Sequence, residues 1–245
     1  MKKCIIVVMM AIGLYALQPP SWEMCTEIHP AITIVRDMVE TPDGSILVAT
    51  NAAGSPLTVI WKTTDGGNTW SPKLNVSSNS YNCYDLEITP SGRVYAIVAW
   101  PHFNSDILIY YSDDNGETWT QLPQPTRIPL RVIYSTYFSP SDIRIKYHNG
   151  KLYLWGAASR PPYSTGGPLF HTECWFYDEN TSQWKKWDIL TNPGFVIEKG
   201  PGPLPGQTYL YLGTAYTSGT AKVIRINQPI GNLQKKMKKS SEVVK

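Results

Sequence analysis

Charge is scarce in this chain of 245 residues: only 17% are Asp, Glu, Lys or Arg, below the usual quarter. Cysteine is scarce too. There are 4, and none are spaced as Cys-x-x-Cys, which argues against a zinc site. The longest apolar run, Cys4 to Leu17, has 14 residues, short of the roughly 20 a membrane span needs. No Gly-rich phosphate loop, Ser nucleophile elbow or His-Glu-x-x-His motif occurs. No cofactor and no metal site is expected. What the chain does have is 12% aromatic residues, 20 Pro and 18 Gly. The aromatics argue against disorder, and the frequent breakers argue against long helices.

Residues 1–20 read as a secretory signal peptide. Met1-Lys2-Lys3 is a basic start, Cys4 to Leu17 the apolar stretch, and Gln18-Pro19-Pro20 its end. An uncleaved short anchor is the alternative. The signal reading predicts a secreted, periplasmic or cell-surface protein with no stable membrane span after cleavage. Export permits disulfides. Cys25, Cys83 and Cys174 would remain, enough for at most one bond, and buried free thiols are the expectation.

After residue 20 a repeat organises the chain. Four turns end in glycine: Thr41-Pro42-Asp43-Gly44, Thr89-Pro90-Ser91-Gly92, Tyr147-His148-Asn149-Gly150 and Leu204-Pro205-Gly206. Such turns join hairpin strands. The second strands are Ser45–Ala49, Arg93–Ile97, Lys151–Trp155 and Gln207–Tyr211, and the third are Val59–Lys62, Leu108–Tyr111, Cys174–Tyr177 and Val223–Ile226. Fourth strands begin near Trp70, Trp119 and Trp184. Four short strands per repeat of about 50 residues predict an all-β fold, a β-propeller of four-stranded antiparallel blades. Trp22 precedes Asp37 by the same 15 residues that separate Trp70 from Asp85. Ser21-Trp22 is therefore expected to supply the last blade's fourth strand and close a four-bladed ring. The propeller is placed at 21–231, with a basic polar tail at 232–245.

Thr63-Thr64-Asp65-Gly66-Gly67-Asn68-Thr69-Trp70 and Ser112-Asp113-Asp114-Asn115-Gly116-Glu117-Thr118-Trp119 share one pattern, 49 residues apart. The Asp carboxylate suits the turn's own amides, Gly permits positive φ, and Trp packs between strands or blades. Asp65, Gly67, Trp70, Asp114, Gly116 and Trp119 are the structural residues of this pattern. Tyr177 to Trp184 looks like a decayed third copy. These octapeptides resemble the Asp-boxes, or bacterial neuraminidase repeats, of the sialidase-like propeller superfamily. The resemblance implies the fold, with the boxes on the face away from an active site. It leaves function open, since the superfamily holds both hydrolases and receptors.

Sialidases in that superfamily use an Arg-Ile-Pro motif, carboxylate-binding arginines and a Tyr nucleophile with a Glu partner. A guanidinium fork matches a carboxylate. Arg127-Ile128-Pro129 resembles the motif, but it follows the second octapeptide instead of preceding the first. Arg36, Arg144 and Arg160 are candidate partners, as is Arg131. No Tyr/Glu pair is identified by spacing.

Asp37, Asp85, Asp142 and Glu198 lie 7, 7, 8 and 8 residues before their turn glycines. Such acids would ring the upper face, near the start of each innermost strand. They either gather to bind a cation, a basic group or water, or each bonds to backbone amides there. Trp100, His102 and Tyr163 stand in long loops expected on the same face. Together these make candidate ligand-binding residues for a glycan or an extracellular protein. The expected function is an exported, monomeric binding or assembly module, and the alternative is a sialidase-like exo-glycoside hydrolase. Setting aside Lys2, Lys3, Lys235, Lys236, Lys238, Lys239, Lys245 and Glu242 leaves 15 basic and 18 acidic residues, against 22 and 19 in the whole chain. The propeller is mildly acidic, which removes support for nucleic-acid binding.

Overall fold

A computed structural model describes residues 23–99, 107–123, 143–159, 170–179, 181–190, 194–201, 208–214 and 222–226. These are strands and turns, as the breaker-rich sequence requires. The first unit is β1 (Val35–Glu40), β2 (Ile46–Ala53), β3 (Thr58–Thr63) and β4 (Ser71–Asn75). The second is β5 (Asn82–Ile88), β6 (Val94–Ala99), β7 (Ile107–Ser112) and β8 (Thr120–Gln121). The third is β9 (Arg144–His148), β10 (Lys151–Ser159), β11 (Phe170–Asp178) and β12 (Gln183–Leu190). The last described strands are β13 (Gly194–Pro201), β14 (Thr208–Thr214) and β15 (Lys222–Ile226).

Within each unit, neighbours in sequence pair antiparallel, so each unit is a meander, the form of a propeller blade. One bridge, Asn51 to Asn82, joins the first two units. The innermost strands contact in order: β1 against β5, β5 against β9, and β9 against β13. The predicted fourth turn at Leu204-Pro205-Gly206, the closing strand at Ser21-Trp22, the signal and the tail lie outside the described residues.

The core lies between blades. Leu47, Ala49, Val59 and Ile60 of the first pack against Cys83, Leu86, Val94 and Val98 of the second. Tyr84, Tyr95, Ile97 and Ile109 of the second pack against Ile145, Leu152, Leu154 and Trp175 of the third. The central strands β3 and β6 are buried along their whole length, because both faces meet neighbours. That explains their continuous apolar runs, in place of simple alternation.

The two octapeptides fold alike at the β3–β4 and β7–β8 turns. Asp65 Oδ1 accepts from the Thr69 amide at 2.9 Å and from the Thr63 hydroxyl at 2.8 Å, while Thr63 Oγ1 accepts from the Gly67 amide at 2.9 Å. Asp114 accepts from the Thr118 amide at 2.9 Å and the Ser112 hydroxyl at 2.7 Å, and Ser112 Oγ accepts from Gly116 at 2.9 Å. Gly67 and Gly116 have φ of 88° and 83°. Each glycine also admits a neighbour: a β-carbon at 116 would meet Leu47 at 2.6 Å, and one at 67 would meet Cys25 Sγ at 2.6 Å. Trp119 Nε1 donates to Gly116 O within its own turn, whereas Trp70 Nε1 donates to Thr26 O. The segment around Cys25 and Thr26 thus seats on the first octapeptide. Cys83 is buried and free as expected, whereas Cys25 is free and exposed.

Candidate functional site at the start of the inner strands

Strand register decides which residues share a level at the mouth where the inner strands begin. The first two hairpins close at Thr41–Ser45 and Thr89–Arg93, each enclosing a three-residue turn, while the third closes at His148–Lys151 around Asn149-Gly150 alone. Counting back from these closures puts Asp37, Asp85 and Arg144 at one level. They pair with Ala49, Ile97 and Trp155 of their second strands. A bulge precedes this level in β1 and β5, and the matching irregularity in β13 puts Val196 there. Glu198 then lies one step further along, at the level of Glu87 and Lys146. The tighter third turn shifts the count to glycine, so Arg144 takes the level expected for Asp142, which lies outside the described residues.

Cross-blade hydrogen bonds follow that register. Asp37 Oδ2 accepts from the Leu86 amide at 2.8 Å, and Asp85 Oδ2 accepts from the Ile145 amide at 2.7 Å. One level on, Glu87 Oε1 accepts from the Tyr147 amide at 2.9 Å and pairs with Lys146 at 3.4 Å. The described acids do bond to backbone amides, but mainly to those of the next blade. Each joins strands of different blades. The exception is Asp37 Oδ1, which takes its own neighbour Met38 at 2.9 Å.

Asp85 is 5% exposed, and burial, with Asp37 adding to it, pushes its carboxyl up to about 8 against the pull of the Ile145 amide and Arg144. Burial, with Asp85 and Asp37 behind it, also raises the Cys83 thiol, the opposite of what a nucleophile needs.

Arg36 and Tyr84 are the bulge residues just before Asp37 and Asp85. The Arg36 guanidinium carbon stands 4.5 Å from the centroid of the Tyr84 ring, a cation–π contact across the blade boundary. Arg36 Nε is buried and has no hydrogen-bond partner among the described residues. Arg144 donates to the carbonyl of Ile143 at 3.1 Å. Two of the five candidate arginines, Arg36 and Arg144, therefore sit beside the two aspartates, and Arg131 lies outside the described residues. Arg127, Arg160, Trp100, His102 and Tyr163 lie outside the described residues, and of Glu198 only the backbone register is described.

A Tyr/Glu pair that spacing did not reveal occurs on the opposite face. The Tyr95 hydroxyl donates to Glu179 Oε1 at 2.5 Å, with Arg93 at 3.7 Å from the same oxygen. Burial raises the Tyr95 phenol, so this pair fastens the third blade's β11–β12 turn to the second blade. No sequence signal links residues 84 apart. Among the described residues no group of His, Cys, Asp and Glu could hold a metal ion, and no helix is long and apolar enough to cross a membrane.

Comparison with known proteins bears on the fold. A Kelch motif model matches residues 140–188, the third blade. A Penicillium chrysogenum alpha-L-arabinanase, solved with arabinobiose, is similar over 78% of this chain and 62% of its own, at 15% identity and a TM-score of 0.50. The chain thus spans less than two thirds of that enzyme. An alpha-L-arabinofuranosidase from Fusarium graminearum is similar over 80% of this chain and 67% of its own, at 16% identity and a TM-score of 0.45. An auxiliary nutrient binding protein from Bacteroides ovatus is similar over 80% and 48%, at 12% identity and a TM-score of 0.47. A search of curated proteins finds no match. Kelch repeats are propeller blades, and the meander units agree with that. The fold is of the β-propeller type.

Proposed function

We propose that this protein is an exported β-propeller that binds a glycan or an extracellular protein at the mouth where its inner strands begin. The observation that supports binding over catalysis is the division of labour there. Asp37 and Asp85 are engaged by backbone amides of the next blade, whereas Arg36 is held over the Tyr84 ring and its Nε has no hydrogen-bond partner among the described residues. The acids act as ties, and the guanidinium is left for recognition. The arabinanase that shares the fold was solved with arabinobiose, a fold-level analogy for a sugar ligand.

In the full reading, residues 1–20 are a signal peptide and the octapeptides are Asp-boxes. Four blades close through the N-terminal strand, the chain is monomeric, and the basic tail follows residue 231. Cys25 and Thr26 seat on the first octapeptide much as a preceding blade seats on the second, which supports closure.

A glycan array with wild type and Arg36→Ala, alongside a pull-down from the native source, tests the reading. Binding lost in the variant is expected. No ligand in either screen, together with clear glycosidase turnover, would sink it. The second reading is a sialidase-like exo-glycoside hydrolase, favoured by Arg36 and Arg144 flanking the two aspartates. A fluorogenic sialoside decides: no turnover by wild type removes it, and turnover abolished in Arg127→Ala and Arg144→Ala supports it.

A further inference from the structure

We infer that Asp37 and Asp85 share a single proton and so form a pH-sensitive latch that ties the first three inner strands together. The latch is independent of the ligand that the mouth takes.

The geometry is a relay of three strands. Asp37 on β1 grips β5 through the Leu86 amide, and Asp85, the residue before Leu86, grips β9 through the Ile145 amide. Asp37 accepts amides on both oxygens, from Met38 and Leu86, whereas Asp85 accepts one, so Asp85 keeps an oxygen free to carry a proton toward Asp37. Two ionised carboxylates in contact at a buried position repel, and one proton between them turns that repulsion into a hydrogen bond.

The surrounding charges do not replace the proton. From β1 the pair meets Arg36, whose guanidinium is stacked on Tyr84. Cys83 and Glu87 lie on β5 itself, and Cys83 is held as the neutral thiol. From β9 come Arg144, which is partly engaged by Ile143 O, and Lys146, which pairs with Glu87. The β6 residue opposite Asp85 is Ile97, and β2 carries no ionisable side chain. Lys62 on β3 is bound to Asp43 and Glu117.

The Asp85 carboxyl, moved from its usual 3.8 to about 8 by burial first and Asp37 second, agrees with the geometry. Because the folded value is the higher one, the contribution is full below the unfolded value of about 4 and is lost as pH rises through about 8. On release the proton goes to solvent and leaves two adjacent carboxylates.

Thermal and urea unfolding of wild type and Asp85→Asn from pH 5 to 9 tests the latch. An Asn side chain keeps an acceptor for the Ile145 amide and can donate to Asp37, so it imitates the protonated acid. From this one proton the wild-type folding constant is expected to fall by up to about tenfold per pH unit within the window. The variant is expected to lack that slope and to melt above wild type at pH 8. Parallel profiles would overturn the inference. If Asp85→Asn does not fold, carboxyl carbon NMR of the wild type decides. An Asp85 resonance titrating far above the ordinary carboxylate range supports the shared proton, and ordinary titration of both acids overturns it.

Discussion

Gly116 and Gly66 both adopt positive φ, 83° and 71°, yet a side chain would meet different surroundings. At 116 a β-carbon would meet Leu47 of the preceding blade at 2.6 Å, while at 66 nothing lies within 4 Å. Gly66→Ala is expected to cost about 1 kcal/mol through backbone strain alone, and Gly116→Ala about 2–4 kcal/mol because the blades must also part. Urea midpoints check the contrast, and equal losses would show that Leu47 moves aside freely. At the same turns, Asp65 is held at about 2 by the amide and hydroxyl of Thr69, and Asp114 is held there by Thr118 and Ser112 despite its desolvation. Both values lie below the unfolded one, so their contribution is present above about pH 4 and lost as pH falls toward 2. The double variant Asp65→Asn with Asp114→Asn is expected to flatten the acid limb of the thermal midpoint. An unchanged slope would place that limb elsewhere.

Between elements, each outer turn reaches back to the blade before it. Glu117 in the β7–β8 turn takes Lys62 at 2.8 Å and Lys73 at 2.5 Å, both in the first blade. Lys62 is 2% exposed, and its ammonium is kept charged, despite the penalty of burial, by Glu117 and Asp43. Glu117→Ala leaves that charge with Asp43 alone. A loss of about 1–3 kcal/mol is expected, discounted because Glu117 is half-exposed. Lys62→Met, which removes the buried charge, should lose less. The reverse order in denaturation experiments would show that the pair itself is stabilising.

These turns were legible in the sequence, because one turn fixes the spacing of Ser112, Asp114, Gly116 and Thr118. The strands were legible too, from their bounding glycines and apolar runs. The cross-blade ties were not. Asp37 meets Leu86, and Tyr95 meets Glu179, only because neighbouring blades pack together, and no local pattern encodes that. One missing turn residue moves the level from seven residues before the glycine to six, which Arg144 occupies, so Asp142, eight before it, falls two residues short.

Across the molecule, charge is sparse but ordered. Glu87 on β5 pairs with Lys146 at the same level of β9, so the second and third blades meet there by opposite sign. Met38 on β1, at the level of the buried Leu86 and Ile145, is 61% exposed, and its amide turns back to Asp37. The first blade thus leaves open the inner face that its successors bury. The same mouth carries Arg36 on Tyr84, the basis of the binding proposal. Calorimetric titration of the best array ligand into wild type and Arg36→Ala, with the mixture then assayed for released sugar, tests that proposal most directly. The account predicts saturable binding by wild type, at least tenfold weaker binding by the variant and no released sugar. Equal affinity for both proteins, or steady product release, would contradict it.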